Sequence, residues 1–362
     1  MLFLFLVGIR GLGVGFKLLG KDLLQAFFSS TENPFVGVVV GILATTLVQS
    51  SSVTTSMIVG LCAAPDNPLP IANAVPMVMG ANIGTTVTNT LVSLAHMGRR
   101  TEFLRAFSTA TCHDFFNFIA VAVLLPVELL TGAISRPAAA IARLLLGFEG
   151  VEYHSPLKAA LKAAFSPVES VVDNLTTAHL IQAGLILAVS AILIVTALLT
   201  IVRLMRTLMH TRLESSLRRV VGRNALISMA LGVVITVMVQ SSSITTSLLV
   251  PLAGAGLIKL RQAFPITLGA NIGTTVTALL ASLAVTGGHA VQGIEIGLVH
   301  LIFNMVGIAL IYPYPPVRRL ALRAAMSLAK TAVRSRGWAI AYVLGLFYAV
   351  PAACIVISRL FR

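Results

Sequence analysis

Charge is scarce in this chain. Only 10% of its 362 residues are charged, against roughly a quarter in a soluble globular domain, and acidic residues number 12. With a hydrophobic content of 57%, that scarcity argues against a water-soluble fold. Aromatics are few, at 6%, and the apolar runs lack a two-residue period, which argues against a β-barrel with aromatic girdles. The three cysteines, Cys62, Cys112 and Cys354, are isolated, odd in number and without metal-ligand spacing. They read as small buried apolar residues. Met1 to Leu6 carry neither a basic start nor a small-residue cleavage site before Arg10, so they read as the first membrane helix and not as a cleaved signal.

Long apolar stretches fill the rest, at 38–48, 71–95, 118–130, 180–202, 225–239, 292–312 and 338–357. A helix needs about 20 apolar residues to cross a bilayer, and several of these are too short or too polar to be simple spans. The expected fold is an all-α polytopic membrane protein. The 26 Lys and Arg residues cluster between apolar runs: Arg99, Arg100 and Arg105; Arg203 to Arg223; Arg318 to Arg336. The stretch 149–173 sets Lys158 and Lys162 against Glu149, Glu152, Glu169 and Asp173. Loop cations explain the excess without nucleic acid, and they place the clusters in the cytoplasm and 149–173 outside.

The chain repeats itself. GILATTLVQSSSVTTS at 41–56 returns as GVVITVMVQSSSITTS at 232–247, PMVMGANIGTTVT at 76–88 as PITLGANIGTTVT at 265–277, and HDFFNF at 113–118 as HLIFNM at 300–305. Three ordered matches at near-constant offset mark a duplicated unit. The first copy runs from its GAN segment into the basic cluster at Arg99, the second into the weakly charged 284–296, so the copies are expected to be inverted, as in secondary transporters. The segments are 1–33, a first membrane helix; 34–148 and 224–316, the two copies; 149–178, an external loop; 179–223, a linking span with a basic loop; and 317–362, a basic amphipathic segment with a last span.

The repeated words put hydroxyls and amides at membrane depth, where they need partners. One serine or threonine can bond the carbonyl a turn back. Gln49 with Ser50 to Ser52 points round a whole helix, which instead favours a broken helix or hairpin tip lining a cavity. Asn82 and Asn271 suit N-caps that restart half-helices, and Gly80, Gly84, Gly269 and Gly273 permit positive φ and close backbone approach. Neutral oxygens suit sodium, and N–H groups at half-helix N-termini suit an oxyanion. The repeated words hold no Lys or Arg, so a bound anion needs cations beside it, and cation-coupled oxyanion transport follows.

QSSSVTTS and QSSSITTS, both GANIGTTVT strings and RTEFLRAFSTATCHDFFNFIAVAVLLPVE at 100–128 resemble the type II sodium-dependent phosphate cotransporters, over Phe3 to Ser358. The resemblance implies sodium-coupled phosphate symport by alternating access in the plasma (inner) membrane. The N-terminus is expected in the cytoplasm and the C-terminus outside, with sodium as co-substrate and no other cofactor. It assigns the substrate and sodium site to Gln49, Ser50, Ser51, Ser52, Thr54, Thr55, Asn82, Thr85 and Thr86 in one copy. In the other it assigns Gln240, Ser241, Ser242, Ser243, Thr245, Thr246, Asn271, Thr274 and Thr275. Ser56 and Ser247, further along, are expected to tolerate change. Electrogenic relatives carry an acid after the glycine matched by Gly98. Arg99 there implies electroneutral transport of two sodium ions with divalent phosphate, unless Asp66 or Asp114 compensates. The 149–178 loop lacks a cysteine-rich insertion, which points to a bacterial source despite the sequon at Asn174.

The pairs His113 with Asn117 and His300 with Asn304 share helix faces by their i, i+4 spacing. They are either site residues or interhelical hydrogen bonds. Asp114 has Leu301 as its counterpart, which disfavours a symmetric metal or proton site. No Ser–His–acid arrangement or nucleotide loop marks an enzyme. An anion channel or oxyanion exporter would also line its path with hydroxyls, whereas a scaffold would leave the duplicated polar words unexplained. Oligomeric state is left open by the sequence.

Overall fold

The computed structural model describes residues 31–62, 69–145, 156–208, 224–239, 241–283 and 290–360, together with 3, 4, 7, 8, 11, 14 and 18. Gln240, Asp66, most of the 1–33 segment, the 209–223 loop and the 284–289 stretch lie outside the described residues.

Every described element is helical. The first copy forms α1 (Pro34–Val48), α2 (Ser51–Cys62), α3 (Ile71–Gly84), α4 (Val87–Leu94), α5 (Arg100–Thr131) and α6 (Ser135–Leu144). Then come α7 (Pro156–Leu175), within the segment expected to be a loop, and α8 (His179–Leu208). The second copy forms α9 (Ala225–Val239), α10 (Ser242–Gly254), α11 (Leu260–Leu283), α12 (Ala290–Ile311) and α13 (Pro315–Arg334). α14 (Arg336–Leu344) passes through a π turn at Gly345–Ala349 into α15 (Val350–Leu360). Pro351 lacks the N–H that would continue an α ladder, so the widening just before it has a local cause. Among the described residues, three helical stretches are long and apolar enough to cross a membrane: Arg100–Thr131, Val291–Ile311 and Arg336–Ser358.

Both QSSS words interrupt a helix, as expected of a broken segment. α1 starts on Asn33, whose side chain accepts from Phe35 N, with Pro34 at the first position, a favourable start. It stops at Gln49, which adopts left-handed backbone at φ 55°. That conformation costs a non-glycine residue roughly 1–2 kcal/mol, so the break is held by side-chain bonds described below.

The GAN words meet one of the two expectations for their glycines, close approach, and not the other, positive φ. Gly80, Gly84, Gly269 and Gly273 are helical, and among the described residues positive φ falls on Gln49, Gly132 and Gly256. The glycines serve close approach. A Cβ at Gly80 would overlap the Val38 carbonyl of α1, and one at Gly269 the Met229 carbonyl of α9, while Gly41 and Gly232 meet α3 and α11 from the other side. Each copy therefore has a tight, glycine-seamed pair, α1 with α3 and α9 with α11, the packing that membrane helices obtain from small residues. Cys62 and Cys112 are buried as expected, but Cys354 is exposed on the last helix.

Between copies the packing is reciprocal. α2 lies against α11 and α12, and α10 against α4 and α5; α6 packs on α12, and α13 on α5. Neither copy is complete alone.

Replacing Gly80 or Gly269 by Ala should lower the unfolding midpoint of the detergent-solubilised protein by the equivalent of at least 1–3 kcal/mol, since a carbonyl has to move. Gly184, which meets nothing within 4 Å, should accept Ala without loss. Equal midpoints for all three variants would refute the glycine seam.

Candidate functional site

Gln49 stands at the α1–α2 break with both ends of its amide engaged. Its Nε2 donates to the Thr46 carbonyl at 2.7 Å, closing α1, and its Oε1 accepts from Thr88 Oγ1 at 2.6 Å. Ser50 lies in the break and Ser51 and Ser52 open α2, the latter two buried. In the second copy Ser241 caps α10, its Oγ accepting from Ile244 N at 3.4 Å. The restart residue is thus a serine of QSSS. Asn82 and Asn271, expected as caps, lie inside α3 and α11.

The threonines follow the simple one-turn pattern. Thr54 and Thr55 donate to the carbonyls of Ser50 and Ser51, and Thr245 and Thr246 to those of Ser241 and Ser242. Thr274 and Thr275 do the same within α11, to Ala270 and Ile272. Thr85 and Thr86 form the turn between α3 and α4, an interruption that α11 lacks although its seven-residue word is identical. Ser243 Oγ reaches the Thr85 carbonyl at 3.5 Å, joining the QSSS of one copy to the GANIGTT of the other.

His113, Asn117, His300 and Asn304 form the most ordered part of the site. With Asn82 and Asn271 they are at most 1% exposed, and each GAN asparagine is held by the His and Asn of the opposite copy. Asn117 Nδ2 donates to the Asn82 carbonyl at 2.8 Å, leaving its Oδ1 to accept from Asn271 Nδ2 at 3.0 Å. Asn271 Oδ1 then faces His113 Nε2 at 2.6 Å. An oxygen facing that nitrogen requires the proton on Nε2. The mirror chain runs from the His300 carbonyl through Asn304 Nδ2 (3.0 Å) and Asn304 Oδ1 to Asn82 Nδ2 (2.7 Å). It ends with Asn82 Oδ1 facing His300 Nε2 at 3.2 Å. Two carbonyls thus set four amide orientations and two tautomers. Both Nδ1 atoms are buried without a hydrogen-bond partner among the described residues.

Four contributors escaped the sequence reading. Asn89 Oδ1 accepts from Ser247 at 2.9 Å and lies 2.9 Å from Thr246 Oγ1, whose single proton is shared with the Ser242 carbonyl. Its counterpart is Ala278, so repetition could not flag it, and Ser247, expected to be tolerant, is a buried partner. Thr236 donates to Thr245 Oγ1 at 2.9 Å. Tyr342 OH donates to Asp114 Oδ2 at 2.7 Å. Asp114 is fully buried, and its Oδ1 has no hydrogen-bond partner among the described residues. Thr86 and Thr90 lie against the same carboxylate, but their hydroxyls donate to the carbonyls of Ile83 and Thr86. No Lys or Arg is buried among the described residues. Arg99 stands apart, 58% exposed at its side chain and paired with Glu102 at 3.1 Å. Beside that pair, burial holds His96 down to about 4, so it is neutral at pH 7 and lends Glu102 no charge.

A buried set of amides, hydroxyls and imidazoles, free of cations and shared by two copies of one unit, defines a helical membrane transporter core. The Na+/Pi-cotransporter family matches residues 4–152 and 193–329, and the chain belongs to that family, whose members are transporters and not enzymes. It is 34% identical to the sodium-dependent phosphate transport protein 2A of Rattus norvegicus, over 99% of this chain and 66% of that protein. It is 31% identical to the 2B protein of Homo sapiens, over 97% of this chain and 63% of that protein. The chain thus spans somewhat less than two thirds of these relatives. No solved structure matches it.

Asn271→Leu should strand His113 Nε2–H and Asn117 Oδ1, at roughly 1–3 kcal/mol for each buried group. Combining it with His113→Leu should be less than additive, by 0.5 kcal/mol or more. Thermal unfolding of the two single variants and the double reads this coupling, and strict additivity would dismantle the network.

Proposed function

We propose that this chain carries inorganic phosphate into the cell together with sodium, by alternating access between two inverted copies of one unit. The reciprocal embedding carries this reading: the QSSS helices α2 and α10 each pack into the opposite copy, and Ser243 meets Thr85 across the join. Phosphate and sodium are assigned to the two breaks and the GANIGTT words, at Gln49, Ser50 to Ser52, Thr85 and Thr86 and at Gln240 to Ser243, Thr274 and Thr275. Half-helix N-termini favour the anion. Neutral oxygens released at the breaks favour sodium. In this division Asn82, Asn271 and their His and Asn partners hold the copies in register.

Inversion is supported by charge. The crevice flanked by the start of α3 and the end of α5 contains Glu128, Arg136 and Glu295. The matching crevice at the start of α11 and the end of α12 contains five cations and no acid. The positive-inside rule puts such crevices on opposite faces. Cysteines at Thr131, the last residue of α5, and at Tyr314, just beyond α12, should therefore be labelled from outside and from inside respectively. Labelling from one side only would make the copies parallel.

Charge balance turns on Asp114. Arg99 is exposed and paired, so electroneutral transport of two sodium ions rests on the missing acid at that position alone, and Asp114 is the carboxylate that would take its place. The buried Asp114 carboxylate, with one oxygen unpartnered, is the group suited to a third sodium. Each net charge moved is worth about 2.3 kcal/mol per 100 mV. In proteoliposomes, phosphate uptake should require sodium, with lithium and potassium poor substitutes. It should rise at a clamped negative potential and lose that rise in Asp114→Asn. Gln49→Ala and Gln240→Ala should each cut uptake severely while the protein stays folded. Potential-independent uptake by the unsubstituted protein would restore the two-sodium, electroneutral stoichiometry. Flux without a sodium gradient and far above carrier turnover would favour a channel.

A further inference from the structure

A cavity of about 700 Å3 opens between the start of α11, the end of α12 and α13. Five of its lining side chains are cationic: Lys259, Arg261, Arg318, Arg319 and Arg323. None forms an ion pair with an acid among the described residues. It shares no residue with the buried polar core.

The placement of these cations runs against local helix electrostatics. Lys259 and Arg261 stand at the start of α11, and Arg318 and Arg319 are the fourth and fifth residues of α13. Neither helix has an acid in its first turn. A helix N-terminus carries partial positive charge and disfavours cations, so two such ends facing one crevice with five cations leave a positive field that the single helix C-terminus there, at Tyr312, only partly offsets. The first copy resolves the same corner internally. There the Glu128 carboxylate accepts from the N–H groups of Ile134 at 2.7 Å and Ser135 at 3.2 Å, at the start of α6. The lining of the second crevice holds no acid that could do the same, and Ala72 faces the first crevice where Arg261 faces this one. The corner belongs to the fold, and the cations belong to this crevice alone.

Geometry also prepares the crevice. The Arg318 guanidinium lies 5.0 Å from the Tyr312 ring centroid, and its Nη1 donates to the Tyr312 carbonyl at 3.4 Å, which fixes one arm of the fork. Tyr312 follows Ile311, the last residue of an apolar span, so the crevice sits where that span ends. Phe264 and Met326 add apolar wall beside the cations. Guanidinium forks above an apolar wall at a span end match a phosphate ester whose substituent is hydrocarbon.

We propose that this crevice binds a phosphate-bearing anion at the membrane surface, the headgroup of an anionic phospholipid such as phosphatidylglycerol, as a site separate from the transport path. The detergent-purified full chain is to be titrated with fluorescent phosphatidylglycerol, with phosphatidylcholine as the zwitterionic control. A second arm adds inorganic phosphate as competitor. Arg318→Gln/Arg319→Gln/Arg323→Gln should weaken phosphatidylglycerol binding by roughly a hundredfold while phosphate uptake in proteoliposomes persists, which also shows that the variant folds. Lys330→Gln/Arg334→Gln/Arg336→Gln removes three exposed cations of the same helical region outside the crevice and should leave binding within a few fold. Displacement by millimolar inorganic phosphate, lost in the crevice variant, would support the site with the free anion as its source. Equal weakening by the two triple variants, or undiminished binding in the crevice variant, would overturn it.

Discussion

An amide buried away from water must find a partner, and in this molecule the partners of the two GAN asparagines lie in the other half of the chain. Asn82 is satisfied by His300 and Asn304, and Asn271 by His113 and Asn117. The glycine seams bring α3 and α11 close enough to α1 and α9 to place these asparagines, and the long helices α5 and α12 supply their ligands. If either half moved away on its own, several polar groups would be left bare in a medium that supplies no water, at several kcal/mol in total. The two halves are therefore one cooperative unit.

That constraint divides labour within the duplicated words. Where a threonine hydroxyl can fold back on its own helix, as at Thr54, Thr55, Thr274 and Thr275, it needs nothing from elsewhere and adds little to specificity. Groups at the helix breaks cannot do this. Gln49 holds a left-handed corner with one bond to its own helix and one to Thr88, and Ser241 starts the helix that carries Ser243 to Thr85. A ligand that competes for such bonds acts where the backbone is already irregular and where small rearrangements are least expensive.

Helical class, the duplication and the two breaks were legible in the sequence, because repeated Gln, Asn and Gly words inside apolar runs have few structural solutions. The position of the second break was not. GANIGTT is identical in both copies, yet the helical ladder is interrupted at Thr85 and Thr86 in one and continuous through α11 in the other, so tertiary surroundings decide it. Asn89 was invisible for a related reason, since a search by repetition finds only what both copies keep. Of the two uses the glycines allow, positive φ and close approach, the structure uses the second, and the sequence alone does not say which backbone will lie opposite a missing Cβ.

Where the copies differ, the differences concern charge. One copy has Asp114 in the core where the other has Leu301, and one has Glu128 capping a corner where the other's crevice is lined by five cations and no acid. A duplicated fold with equal halves would present the same field to both faces of the membrane and could not favour one direction or one lipid leaflet. The shared polar words build the common buried core. The unshared acids and arginines make the two halves electrically unequal, and the arginines do so at the membrane surface, apart from the buried polar core.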